Sequence, residues 1–449
     1  MKEGDVLLLN AEGINDLGFG VFNHAGTKVF AYGVLPGEQA ELEISAVHPT
    51  YCEAKLRKIL LPSPYRIISP CVHESCGGCQ FSCMSYPAQL AFKRSRVSRA
   101  FYSAGLSLPF DVPVCAGMDS ARGYRNRSIY YVRSIDGCPR AGMFASKSHT
   151  LIPIDACMMD ADWVSSFNRQ ILSWAEECGV APYSDGNNSG ILRAVICRTG
   201  YLTGQRMGVL VVTSADFPGK DRLPVLASEE GIDSLYLNIN GAVGNAVFGA
   251  GFELVYGVPE ITTSLCGLDF FLGPRSFWQL NSSQFEKLCY RIRDYAELSG
   301  GETVFDLYCG AGAIGLLLAA ACSKVYGIEI IDEAVTLARR NALQNGIENA
   351  FFFTGKSESV CQKLLAEGIR PDLVVVDPPR KGCDRDLLRS IAVAEPSRIV
   401  YVSCCPETLA RDLKYLSSEY GYRVEKLELF DFFPGTSHVE TVVLLSMEN

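Results

Sequence analysis

From residue 266 onward, short apolar runs that read as buried strands alternate strictly with helix-periodic stretches, and this alternation constrains the fold more than any other feature. A strand followed by a helix, repeated, packs as a doubly wound parallel sheet with helices on both faces. Ligands on such sheets sit beyond the carboxyl ends of the strands. Four strand ends carry chemistry here. VFDLYCGAGAIG runs from a strand closed by Asp306, through a turn containing Gly310 and Gly312, into a helix. KVYGIEI ends on Glu329, an acid placed to accept hydrogen bonds from two ribose hydroxyls. LVVVDPPRKG ends on Asp377, Pro378 and Pro379. RIVYVSC ends on Cys404, and PETLARDLKYL then reads as a helix.

A thiol at a strand-to-helix junction lies near the free N–H groups of a first helical turn. Those groups favour negative charge, so Cys404 is expected to ionise below the ordinary thiol range and is the candidate nucleophile. Pro406 suits the first turn, where its missing N–H costs nothing. The plainer reading of Cys404 and Cys405 is a pair of small buried hydrophobes.

At 449 residues and 48% hydrophobic, the chain can bury several cores, and two to three domains are expected. The N-terminus MKEGDVLLLNAEGIND has acids on both sides of its apolar run and does not read as a signal peptide. No apolar stretch is long enough to span a bilayer, so no membrane partner is expected. With no export signal, the 18 cysteines point to reduced thiols, metal ligands or a catalytic thiol, and to the cytoplasm.

Residues 1–62 alternate with period two between glycine-bearing turns, the pattern of a small OB-like β-barrel. Pro62, Pro64 and Pro70 then mark a linker into CVHESCGGCQFSC. Three thiolates as close as Cys71, Cys76 and Cys79 repel one another unless a cation lies between them, so a metal or cluster is expected. The fourth ligand is Cys83 or, preferred here, Cys157 in LIPIDACMMDAD. Four thiolates suit [4Fe-4S] or Zn, and spacing alone does not choose. A radical S-adenosylmethionine site fits poorly, because it uses gaps of three and then two residues and leaves the fourth position free, whereas the first gap here is longer.

Residues 63–265 read as an α+β domain, and the helix near 85–115 carries basic residues and could pack on the catalytic domain. The chain as a whole has a formal charge of -9, yet segment 91–150 holds ten basic residues, Lys147 among them, against Asp111, Asp119 and Asp136. Tyr102, Tyr124, Tyr130, Tyr131 and Phe144 are interleaved with them. That composition suits a surface holding phosphates and stacking bases, or a solvated basic face.

DLYCGAG, DPPRKG, YVSC followed by P-x-TLARDL, and PGTSHVETVVLL together resemble the RNA uracil-C5 methyltransferases, with nicotinamide binding the disfavoured competitor. DLGFGVF and YGVLPGE resemble a TRAM domain. TRAM plus the cysteine set is most similar to the bacterial 23S ribosomal RNA enzymes of that family. The resemblance implies a multidomain protein acting as a monomer on 23S rRNA: TRAM barrel at 1–62, central α+β domain at 63–265, and Rossmann-like methyltransferase at 266–449. It implies Cys404 as nucleophile and Glu440 as base, with Gln279, Tyr308, Glu329 and Asp377 contacting S-adenosylmethionine. It implies a [4Fe-4S] cluster, in preference to Zn, on Cys71, Cys76, Cys79 and Cys157. A tRNA uridine-C5 methyltransferase and a non-catalytic RNA-binding assembly factor are the alternatives.

The chemistry asks for the same pair. Uracil C5 is a poor nucleophile until a thiolate adds at C6, and a base must then remove the C5 proton so that the thiolate can leave. Phe277 and Trp278 are candidates for stacking on a flipped base, or core aromatics. Cys405 stands where the family more often has Asn, and Cys83 where relatives seldom have a thiol.

Overall fold

The computed structural model describes residues 1–73, 76–145 and 148–447. Lys147 therefore lies outside the described residues. The chain folds as two compact units, Met1–Met118 with Glu428–Glu440, and Asp119–Leu427 with the residues from Thr441 on. This division cuts the chain elsewhere than the three segments expected from the sequence.

The first unit opens with six strands: β1 (Val6–Asn10), β2 (Gly13–Ile14), β3 (Phe19–His24), β4 (Thr27–Tyr32), β5 (Gln39–Val47) and β6 (Tyr51–Leu61). They form one sheet in the order β1-β5-β6-β4-β3-β2. β4 pairs with β6 in parallel, and β1 with β5, β2 with β3, β3 with β4 and β5 with β6 are antiparallel. Alternate residues of β3 and β5 are buried, as period-two patterning requires, and Phe22, Val29, Ala31, Leu42 and Ile44 meet in one core. Glu38 is buried and accepts from the backbone N–H groups of Leu35 and Ser63 and from Arg66, which ties the linker to the sheet.

Helix α1 (Tyr86–Ser103) follows, with a proline in its first turn. Its buried residues Gln89, Lys93, Val97 and Phe101 recur every fourth position, so they lie on one face. That face carries a charge to the interior: Lys93 is fully buried and pairs with Asp431, itself fully buried. Lys93 also donates to the Phe433 carbonyl at 3.0 Å, Arg94 to that of Val112 at 2.6 Å and Arg96 to that of Ser437 at 3.0 Å. The basic helix thus uses three of its cations inside its own unit.

The second unit holds β7 (Arg127–Ile135), β8 (Cys138–Phe144), β9 (Leu151–Pro153), α2 (Asp162–Glu177), β10 (Leu192–Thr199), β11 (Arg206–Val212), α3 (Leu223–Glu229), β12 (Ser234–Ile239) and β13 (Gly251–Gly257). These strands make a seven-stranded sheet, β13-β12-β11-β10-β7-β8-β9. The hairpin β14 (Ile261–Leu265) and β15 (Leu268–Leu272) leads into α4 (Ser282–Ala296). Then come β16 (Thr303–Leu307), α5 (Ala313–Ala319), β17 (Lys324–Glu329), α6 (Asp332–Gln344), β18 (Ala350–Thr354), α7 (Ser357–Ala366), β19 (Leu373–Val376), α8 (Arg385–Ala394), β20 (Arg398–Ser403) and α9 (Pro406–Tyr420). β21 (Tyr422–Phe430) and β22 (Glu440–Met447) complete a sheet ordered β18-β17-β16-β19-β20-β22-β21. β16 to β20 pair in parallel, as the alternation predicts, and β22 runs antiparallel to β20. The strand order reverses between β16 and β19, and such a switch point leaves a crevice above the sheet.

Candidate active site

Parallel pairing sets Leu307 of β16 beside Ile328 of β17 and Val376 of β19. The next residues are Tyr308, Glu329 and Asp377, so three of the sequence candidates stand at one level, across the switch point. Tyr308 takes φ of 64°, a left-handed conformation unusual for a side-chain-bearing residue, and turns the chain away from the strand. Glu329 is held by the turns around it: Gly310 N–H donates to Oε2 at 3.2 Å and Ile331 N–H to Oε1 at 2.9 Å. Gly312 has φ of 85°, which favours glycine, and a Cβ there would lie 3.0 Å from the Phe352 ring, a tight contact. Asn341 Nδ2 donates to the Ala311 carbonyl at 3.0 Å and fixes the turn from the α6 side.

Burial dominates the electrostatics of this edge. Asp306 is 1% exposed; burial pushes its carboxyl up to about 7, the nearby Asp377 and Glu329 charges add to this, and Gly315 N–H, donating to Oδ2 at 2.8 Å, works against it. Its Oδ1 has no hydrogen-bond partner. Asp377 is raised to about 6, also by burial, and Tyr308 is pushed up by burial as well. Gln279 is half-buried, and its carbonyl accepts from Asn126 Nδ2 at 2.7 Å. Asn126 also donates through its N–H to the Leu280 carbonyl at 3.0 Å and through Nδ2 to Ser282 Oγ at 2.8 Å. It therefore fixes the approach to α4, a role its place at the start of a strand did not signal. Trp278 is buried between Phe270 and Phe285, so it is a core aromatic and cannot stack on a base. Phe277 is 70% exposed.

Cys404 lies between the end of β20 and the start of α9, as the junction reading predicts, and is half-buried. Cys405 is the N-cap of α9 and gives no side-chain cap; its thiol donates instead to Glu407 Oε2 at 3.2 Å. The loop after Asp377 is anchored to α9. Thr408 Oγ1 donates to the Arg380 carbonyl at 3.0 Å, Arg411 Nη2 to that of Lys381 at 2.9 Å, and Cys383 N–H to Asp412 Oδ2 at 2.9 Å. Asp412 also accepts from Tyr401 Oη at 2.7 Å, from inside β20. This buried carboxylate was not singled out in the sequence, although a charge within the helical pattern TLARDL is a signal that could have found it.

Glu440 opens β22 and is 7% exposed. Thr441 pairs with Ser403 in the antiparallel register and donates through Oγ1 to the Ser403 carbonyl at 3.0 Å. Cys404 is the residue after Ser403, and Glu440 the residue before Thr441. The segment leading to Glu440 is held from α1: Gly435 N–H donates to Gln89 Oε1 at 2.8 Å, beside the Lys93 and Arg96 bonds to Phe433 and Ser437. Gln89, Lys93 and Arg96 are spaced four and then three residues apart, so one helix face grips the whole segment.

Cys71, Cys76 and Cys79 are half-buried in the first unit, and Cys157 belongs to the second. His73 N–H points at Cys71 Sγ and Gly78 N–H at Cys76 Sγ, both at 3.4 Å, donors that suit a thiolate ligand set. Glu74 and Ser75 lie outside the described residues. Among the described residues no three Cys, His, Asp or Glu side chains are gathered as a metal ion needs. Cys83 packs against Leu35, Phe81 and Met84, and its thiol also meets the Arg66 guanidinium. Among the described residues no helix is long and apolar enough to cross a membrane.

A family model described as tRNA (Uracil-5-)-methyltransferase matches residues 271–448. An uncharacterized RNA methyltransferase of Clostridium tetani is 37% identical over 99% of the chain and 97% of its own length. One from Listeria monocytogenes is 39% identical over the same shares. Among solved structures, the Pyrococcus abyssi tRNA (uracil-54, C5)-methyltransferase in complex with S-adenosyl-L-homocysteine superposes with a TM-score of 0.79 at 28% identity, covering 98% of this chain and 99% of that one.

Proposed function

Because the chain belongs to the RNA (uracil-5-)-methyltransferase family, and is an S-adenosylmethionine-dependent RNA methyltransferase, we propose that it methylates C5 of a uridine in 23S rRNA through a covalent Cys404 adduct. The observation that carries this reading is the shared level of Tyr308, Glu329 and Asp377, with Cys404 and Glu440 flanking the paired residues Ser403 and Thr441.

S-adenosylmethionine supplies an electrophilic methyl group on sulfonium. Glu329, oriented by two backbone N–H groups, accepts from ribose hydroxyls, and Gln279, Tyr308 and Asp377 complete the cradle. The Cys404 thiolate, favoured by the α9 N-terminus, adds to C6 of uracil, and the electron pair moves to C5 and O4. C5 bonds to the methyl carbon as the methyl–sulfur bond breaks, and S-adenosylhomocysteine is the leaving group. Glu440 then removes the C5 proton, the ring double bond re-forms, and the thiolate leaves.

The first sheet serves, in this reading, as a TRAM-type RNA-binding module. Cys71, Cys76 and Cys79, with Cys157 the preferred fourth thiol, are the ligands of a [4Fe-4S] cluster in this reading. The N–H groups aimed at Cys71 and Cys76 support this. Iron and acid-labile sulfide analysis of anaerobically purified protein tests it, and zinc without sulfide would overturn it.

A tRNA substrate is the second reading, favoured by the likeness to the P. abyssi tRNA enzyme along nearly the whole chain. Both are tested with labelled S-adenosylmethionine and 23S rRNA or tRNA from a strain lacking the protein. Label in 5-methyluridine of 23S rRNA alone supports the first reading; label in tRNA alone overturns it in favour of the second.

A further inference from the structure

The sheet that opens the second unit carries an open cleft that no step of methyl transfer uses. Its floor is a cross-strand row, Tyr131 of β7 beside Ala194 of β10 beside Val211 of β11. Tyr131 stacks on Phe144 with centroids 4.2 Å apart and planes 21° from parallel, and His149 meets Phe144 edge-on at 5.4 Å. The Arg133 guanidinium lies 5.3 Å from the Phe144 centroid and is fixed by Asp185 through Nε at 2.8 Å and Nη2 at 3.2 Å.

The opposite wall is the 244–247 loop, and it is held in place. Arg193, 7% exposed, donates to the carbonyls of Asn240 at 2.9 Å, Ala242 at 2.6 Å and Gly244 at 3.3 Å. Asn240 Nδ2 donates to the carbonyls of Ala246 at 2.7 Å and Val247 at 3.0 Å. The cleft is therefore formed before anything enters it, which lowers the ordering cost of binding.

We propose that this cleft takes one unpaired nucleobase of the RNA, distinct from the uridine that reacts at Cys404. The substrate class rests on the methyltransferase reading above. Aromatic rings beside an arginine stack any base through its π-face. Asp185 and Asn245 add polar groups for the base edge, and the lining holds Arg133 and Arg193 against the single acid Asp185, a balance that suits a polyanion over an apolar peptide side chain. Tyr131, Arg133 and Phe144 come from the aromatic-basic stretch of the sequence. With three of its helical cations used inside the first unit, this cleft is where Tyr131, Arg133 and Phe144 meet RNA.

The test is fluorescence anisotropy of a fluorescein-labelled, mixed-sequence single-stranded RNA 20-mer with full-length protein. Phe144→Leu keeps the bulk and removes the ring, and should weaken binding by about 5- to 100-fold. Phe144→Tyr should bind as wild type does. His149→Ala, at an exposed position, should weaken binding without any folding defect. Wild-type affinity in Phe144→Leu, or no binding of the 20-mer by the wild-type protein, would overturn the cleft. The methyltransferase reading fails separately: Phe144-dependent binding of the 20-mer by a protein that labels neither 23S rRNA nor tRNA leaves the cleft standing and removes the reaction.

Discussion

Lys93→Met probes the grip of α1 on the segment that leads to Glu440. Lys93 and Asp431 are both fully buried, and the lysine also donates to the Phe433 carbonyl. Removing the ammonium leaves a carboxylate in the interior without its cation, a change that costs about 3–5 kcal/mol. An exposed pair such as Lys363–Glu367, with side chains 73% and 51% exposed, contributes only about 0–1 kcal/mol when cut. The double variant Lys93→Met/Asp431→Leu replaces both charges with apolar groups and should recover most of the loss. The three tryptophans, Trp163, Trp174 and Trp278, all lie in the second unit, so their fluorescence is a poor reporter here. Hydrogen exchange of peptides spanning 428–440 reads the opening free energy directly. A loss below about 1 kcal/mol in Lys93→Met, or a double variant as unstable as the single, would refute the buried-pair reasoning.

Asp306→Asn tests the raised carboxyl. A folded pKa of about 7, above the unfolded value near 3.8, means that wild-type stability falls as pH rises from ~4 to ~7, so the variant should gain about 2–3 kcal/mol relative to wild type between pH 5 and pH 8 in urea melts followed by tryptophan fluorescence. A pH-independent difference would show that Asp306 does not titrate in that range. Cys405→Asn gives α9 the side-chain cap it lacks and should raise stability by roughly 0.5–1 kcal/mol in the same melts, with no gain as the contrary result. Gly327→Ala drives a methyl group into the Phe352 ring, which packs under the cofactor turn; a cost of about 1–3 kcal/mol and weaker S-adenosylmethionine binding by calorimetry are expected, and wild-type affinity would count against it.

The strand-end residues were legible because each is local. A parallel strand announces itself by a continuous apolar run, and the residue that ends it is the one that faces the crevice. Glu329 and Asp377 therefore stood out before their common level was visible, whereas the first strand read as closing on Asp306 and Tyr308 came only through the family resemblance. Lys93 was not legible: its partner Asp431 is 338 residues away, and a lysine on a basic helix looks solvated unless that partner is known. Trp278 misled for a related reason, since exposure depends on Phe270 and Phe285, and only packing tells a buried indole from a stacking platform. The division into units was hidden by the return of residues 428–440 to the first unit, a long-range pairing with no local signature.

The covalent route is tested most directly with Glu440→Gln protein, labelled S-adenosylmethionine and unmodified 23S rRNA and tRNA, resolved under denaturing conditions. Methyl transfer without proton removal should leave a labelled protein–RNA adduct, and that adduct should vanish in Glu440→Gln/Cys404→Ala. Wild-type turnover in Glu440→Gln with no adduct, or 5-methyluridine formed by Cys404→Ala alone, would contradict the roles given to Glu440 and Cys404.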